Sequence, residues 1–172
     1  MLRAILWVFR SKKAKLKALK KRGLEIGENC EILNGYNFGS EPYLVHIGNH
    51  VRITAGVNIT THDGGVWVLR GLKEKYADID LFRPVIIGDN CHIGMGATIM
   101  PGVEIGNNCI VAAGAVVTKN VPDNSIVGGI PARLLSTIED YEQKHREEFL
   151  HTKNLTWKGK KNRILNKNNH NN

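Results

Sequence analysis

The stretch VIIGDNCHIGMGATIMPGVEIGNNCIVAAGAVV, residues 85–117, places an aliphatic residue at every sixth position: Ile87, Ile93, Ile99, Ile105, Val111 and Val117. Two positions ahead of each stand Val85, Cys91, Ala97, Val103, Cys109 and Ala115, so every hexad carries one large and one small apolar residue at fixed offsets. A period of six fits neither an amphipathic helix nor an alternating strand. It suits a parallel β-helix, an all-β solenoid in which each hexad is a short strand plus a corner and three hexads close one triangular coil.

The same phase recurs upstream at Ile26, Ile32 and Phe38, and again at Ile47, Ile53 and Ile59. Coils begin at IGEN (Ile26), IGNH (Ile47), IGDN (Ile87) and IGNN (Ile105). In these, Gly is expected to supply a corner conformation closed to a Cβ, and Asn to tolerate left-handed geometry. From Ile26 to Ile47 the spacing exceeds one coil by three residues, and from Ile47 to Ile87 it exceeds two coils by four. Loops leave the prism in those intervals. Cys30, Cys91 and Cys109 each follow Asn in a coil start, which predicts small, buried, inward side chains rather than nucleophiles or metal ligands. Cys91 and Cys109 stack one coil apart, within reach of a disulfide in principle, although a reducing compartment argues against one.

The repeat, together with THDGG (Thr61 to Gly65) and AAGAVVTKNVPDNSIVGGIPARLL from Ala112, resembles the hexapeptide-repeat acyltransferases. GSEPYL (Gly39 to Leu44) and THDGGVWVLR (Thr61 to Arg70) make it most similar to the bacterial sugar and polysaccharide O-acetyltransferases among them. The resemblance implies a left-handed parallel β-helix. The hand comes from the family, since crossovers between parallel strands are in general right-handed.

Length and composition agree with one β-helix domain, residues 24–135, with a loop excursion at 63–84. A basic amphipathic segment, 1–23, precedes it, and a C-terminal segment, 136–172, follows. The 172 residues are 42% hydrophobic with few aromatics, as a narrow prism packed with Ile, Val and Ala requires. Of the net charge of +8, the first 22 residues supply nine Lys and Arg and no acid. Leu2, Ile5, Leu6 and Phe9, then Leu16 and Leu19, have helical spacing. Two readings stand: a helical cap over the open end of the solenoid, and a peripheral contact with anionic membrane. Nucleic acid is not expected, because no binding motif surrounds Trp7 and Phe9. No apolar run approaches eighteen residues, and LRAILWVF lacks a small-residue cleavage site. The chain is therefore expected in the cytoplasm, at most peripheral to the inner membrane. Pro122 and Pro131 suit an extended closing segment. Thr137 to His151 reads as a helix capped by Ser136 or Thr137, and the Asn- and Lys-rich tail from Asn162 reads as disordered.

His62 is the candidate catalytic residue. It stands three residues after the inward Ile59, where the chain departs into the excursion, and a neutral imidazole can take the proton of a sugar hydroxyl. The resemblance implies the same general-base role in direct transfer from acetyl-CoA. That chemistry needs no protein nucleophile, which agrees with the absence of a G-x-S-x-G motif. Glu41 is the candidate orienter of His62, with a backbone carbonyl as the alternative, and Asp63 is read as an acceptor contact. Asn34 and Asn37 fall where related sugar acetyltransferases carry an acceptor-binding Asn. In the excursion, Trp67 offers an aromatic face to a pyranose and Arg70 a charge to a phosphate or uronate; the alternative is that Trp67 packs on protein.

For the donor, Gly94 and Met95, then Ala113 and Gly114, lie one coil apart and are expected to line the pantetheine groove through backbone amides. Thr118, Lys119 and Arg133 match family positions near the adenine and phosphate end of coenzyme A. The resemblance also implies a homotrimer with the site between two protomers. Other readings are N-acetylation of an amino sugar, a noncatalytic β-helix scaffold, and a zinc enzyme like the γ-class carbonic anhydrases. The last would draw on His46, His50 and His92, whose spacing lacks that class's ligand pattern; no metal is expected.

Overall fold

The computed structural model describes residues 11–35 and 37–169. Each hexad contributes a strand of two or three residues. One parallel sheet contains β1 (Glu25–Ile26), β3 (Val45–Ile47), β6 (Val85–Ile87) and β9 (Glu104–Ile105). A second contains β2 (Glu31–Ile32), β4 (Arg52–Ile53), β7 (His92–Ile93), β10 (Ile110–Val111) and β12 (Ser125–Gly129), and ends with the antiparallel β13 (Ala132–Thr137). The third contains β5 (Asn58–Ile59), β8 (Thr98–Ile99) and β11 (Val116–Val117). From β3 to β11, successive strands visit the three sheets in turn, and each hexad residue pairs with its counterpart one round later: Ile87 with Ile105, Ile93 with Val111, Ile99 with Val117. Their side chains, with Val85, Cys91, Ala97, Val103, Cys109 and Ala115, are buried in one core. Each buried Ile or Val contributes about 1.5–3 kcal/mol.

Ile47 pairs directly with Ile87, and Ile53 with Ile93, so the interval between them is a single coil carrying a long excursion. The excursion closes on a narrow neck. Asp63 N donates to Leu81 O (2.9 Å), Arg83 N donates to Thr61 O (2.8 Å), and His62 and Phe82 form an antiparallel bridge between them. Beyond the neck lies helix α2 (Val66–Leu72), followed by a 3-10 turn at Glu74–Tyr76.

The coil-start glycines have a different cause from the one expected. The left-handed position is taken by the residue two further on, Asn29, His50, Asn90 and Asn108, and by Asn124 after Pro122; all five have φ between 54° and 59°. Gly48 is required by close approach, because a Cβ there would lie 2.3 Å from Asp89 Oδ1 and 2.8 Å from the backbone of Gly88. That carboxylate oxygen accepts from Asn49 N (2.7 Å); Asp89 N donates to Asn107 Oδ1 (2.8 Å) and Asn107 N to Asp123 Oδ1 (2.7 Å). A parallel ladder runs from His50 to Asn90 (2.7 Å), from Asn90 Nδ2 to Asn108 Oδ1 (2.9 Å) and from Asn108 Nδ2 to Asn124 Oδ1 (2.9 Å). Polar corners and apolar faces thus enforce the same register.

The basic segment forms helix α1 (Lys12–Lys21), capped by Ser11. Leu19 is buried in the core and Leu16 packs against it. Leu2, Ile5, Leu6 and Phe9 lie outside the described residues. In the C-terminal part of the sequence, residues 139–169 belong to a unit of their own. Helix α3 (Ile138–His145) gives way to a 3-10 turn at Arg146–Glu148, so it stops short of the expected His151. The expectation of a disordered tail from Asn162 is corrected: helix α4 spans Trp157–Asn169. Thr156 Oγ1 accepts from Gly159 N at its start, and Lys167 Nζ donates to the carbonyls of Glu147 and Glu148. Polar composition hid a helix that has a cap and a basic side chain returned to neighbouring carbonyls.

Gly48→Ala is expected to cost about 1–3 kcal/mol, since backbone and a bonded carboxylate would both have to move. Gly71→Ala, in α2 with nothing within 4 Å of the added methyl, is expected to gain up to about 1 kcal/mol. Urea unfolding midpoints check the contrast; equal midpoints would remove the close-approach account.

Candidate functional site

His62 stands on the first strand of the neck, directly after the buried Thr61. Its Nδ1 lies 3.4 Å from Glu41 Oε2, and its ring meets Phe82 edge-on with centroids 6.3 Å apart. The two ends of the pair differ. The His62 side chain is 53% exposed and that of Glu41 only 13%, so the carboxylate is the buried partner beneath a half-exposed ring. Thr61 Oγ1 donates to the same Glu41 oxygen at 3.1 Å. A hydrogen bond from Ser40 is the main force holding the Glu41 carboxyl below its ordinary range. It outweighs the desolvation that would raise it, and Thr61 and His62 act in the same lowering direction. Glu41 is thus a shared carboxylate anchor beneath His62.

A cleft of about 290 Å³ opens beside this pair. Of the residues singled out in the sequence, His62, Glu41, Asp63, Trp67 and Arg70 line it, and Ser40, Leu81 and Phe82 join them. Phe82 and Ser40 escaped sequence reasoning because their places depend on the neck closing and on the coil before it, neither of which leaves a local pattern. Trp67 is 75% exposed on α2 and presents its ring openly. Asp63 Oδ1 accepts from Gly65 N (2.8 Å) and so shapes the entry to the helix. Arg70 is committed within the excursion: its guanidinium donates twice to Ile79 O (2.8 and 2.5 Å) and pairs with Asp80. Its charge staples the returning chain instead of standing free for a phosphate or uronate. Asn34 and Asn37 are not among the residues lining the cleft. Asn34 Nδ2 donates to Asn37 O (3.0 Å) and Asn37 Oδ1 accepts from Gly39 N (3.3 Å), an internal brace of the first coil.

Lys119 and Arg133 come together. Both line a second cleft of about 270 Å³, walled by Val121, Pro122, Val127 and Leu134, where two cations face an apolar floor. Thr118 is exposed next to Lys119. The expected groove of free amides is corrected in part: Gly94 N donates to Val111 O and Gly114 N to Met95 O, both at 2.8 Å, so these two amides are spent in stacking the coils. A Cβ on Gly94 would lie 2.5 Å from Ala113 N, which makes Gly94 a point of backbone contact between coils. Met95 is 64% exposed.

Cys91 and Cys109 are buried and free, and Cys30 is half-buried and free. Burial pushes the Cys91 thiol up to about 11 and raises that of Cys109 as well, which suits structural rather than reactive thiols. Their Sγ atoms donate to Gly106 O and Pro122 O of the following coil, both at 3.1 Å. The histidines of the zinc reading are dispersed: His46 pairs with Glu25, His50 bonds Asn90, and burial, then Arg52, lowers the pKa of His92. Among the described residues no three His, Cys, Asp or Glu side chains are grouped to hold a metal ion.

Residues 84–119 match the family described as the hexapeptide repeat of succinyl-transferase. Protein CapG of Staphylococcus aureus is 52% identical over 151 residues, covering 87% of this chain and 86% of its own length. A galactoside O-acetyltransferase of Lactococcus lactis is 33% identical over 149 residues, covering 75% and 70%. Among solved structures, a hexapeptide-repeat acetyltransferase of Vibrio cholerae complexed with acetyl-coenzyme A superimposes with a TM-score of 0.54 at 26% identity, over 77% of this chain and 81% of its own.

The lowered Glu41 pKa fixes the sign of a pH effect. Its stabilising contribution is complete above the ordinary value of 4.5 and is lost as pH falls through the lowered one. Glu41→Gln is therefore expected to be less stable than the parent at pH 7, with the gap closing as pH falls below 4.5. Paired thermal melts from pH 7 to 3 check this, and a gap independent of pH would contradict it.

Proposed function

From the premise that this chain belongs to the hexapeptide-repeat acyltransferases and is an acetyltransferase, we propose that it moves an acetyl group from acetyl-CoA to a sugar hydroxyl of a surface polysaccharide or its precursor. The observation that carries the reading is His62, anchored from below by Glu41 and open to the cleft on its other side. The succession of short strands through three parallel sheets supports a left-handed β-helix, with the hand taken from the family.

Acetyl-CoA supplies the acetyl group as a thioester and leaves as a thiol. The chain's own work is to hold both substrates and to move one proton. With Nδ1 directed at Glu41, His62 accepts the acceptor hydroxyl's proton at Nε2 as that oxygen bonds to the acetyl carbon, and later releases it to the departing sulfur. The Glu41 carboxylate offsets the positive charge that the ring carries between those two transfers. Trp67 gives an apolar ring face a flat partner. A cleft with two cations and apolar walls has the donor set that a phosphorylated adenosine needs, and Lys119 and Arg133 would hold it there.

The homotrimer and the cytoplasmic location at the inner membrane belong to the same proposal. Exposed Ile130, Leu134 and Leu135 support a protein partner along the closing hairpin. The lysines of α1 support a peripheral contact with anionic lipid, and among the described residues no helix is long and apolar enough to cross a membrane.

His62→Ala should lower kcat by roughly 10²–10⁴ and leave acetyl-CoA binding nearly intact. Thiol release with a panel of sugars, nucleotide sugars and glycans reads this. Near-parental turnover in the folded variant would remove His62 from the mechanism. Lys119→Ala or Arg133→Ala should weaken acetyl-CoA binding by about 1.5–3 kcal/mol. Calorimetry with unchanged affinity in both would place the donor elsewhere.

A further inference from the structure

Helix α1 ends in a closed motif. Leu24 N donates to Leu19 O (3.1 Å) and Gly23 N to Lys20 O (3.0 Å), with Gly23 at φ +90° and Leu19 and Leu24 both buried. This is a Schellman ending, and it fixes the direction of its cap residue, Arg22. Arg22 Nη2 donates to Ser40 O at 2.7 Å. A second contact ties the helix end to the same segment from the other side. A Cβ on Gly23 would lie 2.5 Å from Tyr43 Cβ, so only glycine lets the two backbones approach so closely. Between Ser40 and Tyr43 stands Glu41, which precedes the 3-10 turn Pro42–Leu44 and lies 3.4 Å from His62.

We infer that Arg22 is a positioning residue for His62: by holding the Ser40 carbonyl it fixes the segment that carries Glu41, and Glu41 in turn fixes the orientation and tautomer of the ring. The inference deepens the proposed general-base role and rests on it. An imidazole that must accept at Nε2 has to keep its proton on Nδ1, and only an acceptor held in place can enforce this. The Ser40 carbonyl accepts from Arg22, and Glu41 follows it directly in the chain. The basic helix is thereby part of the active-site support as well as a lid on the core.

The test uses the full chain with ¹⁵N-labelled histidine, at a pH where the ring is neutral, and reads the tautomer of His62 from its ring nitrogen shifts. The parent should hold the Nδ1–H form. Glu41→Ala should give a mixture, Arg22→Ala should move toward that mixture, and Arg22→Lys, which keeps the charge and one donor, should fall between Arg22→Ala and the parent. In the Glu41→Ala background, Arg22→Ala should add nothing, because its effect is routed through Glu41. Lys21→Ala, which removes the neighbouring charge and leaves the Arg22–Ser40 bond in place, should match the parent. Turnover of Arg22→Ala should fall about tenfold at unchanged acetyl-CoA KM, the scale of a small misplacement. A parental tautomer in folded Arg22→Ala and Arg22→Lys, or an equal effect with and without Glu41, would overturn the inference. Near-parental turnover of His62→Ala would overturn the base reading instead, and the ring spectra keep the two failures apart.

Discussion

Every other feature of the β domain depends on hydrogen bonding between equivalent positions of successive coils. Because Ile87 sits on Ile105 and Ile93 on Val111, whatever one coil places at a position must tolerate its own likeness one strand spacing away, about 4.8 Å. Branched aliphatics meet this condition inside, where like packs on like. Side-chain amides and carboxylates meet it at one corner, where each accepts from the backbone of the preceding round. The glycines are a debt incurred by that corner, since the oxygen arriving from the next round occupies the space of a Cβ. A change at one corner is therefore felt by a neighbour many residues away in sequence and one layer away in space.

The same rigidity sets apart the place where the chain leaves the stack and a cleft opens. A side chain within a coil is fixed by layers above and below, whereas His62 has a coil on one side and the returning Phe82 strand on the other. It gains an edge facing the cleft without losing its footing. Glu41, on the preceding coil, supplies that footing through an inter-layer contact that resembles the corner ladders in kind. The His62–Glu41 pair is thus the stacking rule applied at a place where the upper layer has been opened.

The apolar period made the faces, the buried thiols and the exit at Thr61 legible in the sequence, because all of these follow from inward or outward alternation. His62 and Glu41 were legible as candidates, and their contact depended on the first coil's irregular length, which no period encodes. Arg70 illustrates the limit of reading charge from a loop. Its acceptors, Ile79 O and Asp80, lie on a return path that the residue types around it do not specify. The corner glycines were legible as necessary and misread as to cause, since backbone freedom and lack of space produce the same residue. The C-terminal helix was hidden by composition: its cap, Thr156, and its tether, Lys167, are ordinary polar residues until placed.

The neck has a consequence for how such a protein can diversify. Two backbone bonds, Asp63 to Leu81 and Arg83 to Thr61, return the chain to the layer it left, and Ile47 still finds Ile87 beneath it. The intervening residues contribute no side chain to the buried core. The prism therefore serves as a socket, and the segment above it as an interchangeable fitting whose length and chemistry can drift without dismantling the stacked layers beneath it. Loop closure costs only about 0.6 kcal/mol for each doubling of length, so descendants of one scaffold can exchange the fitting while the layers below are inherited intact.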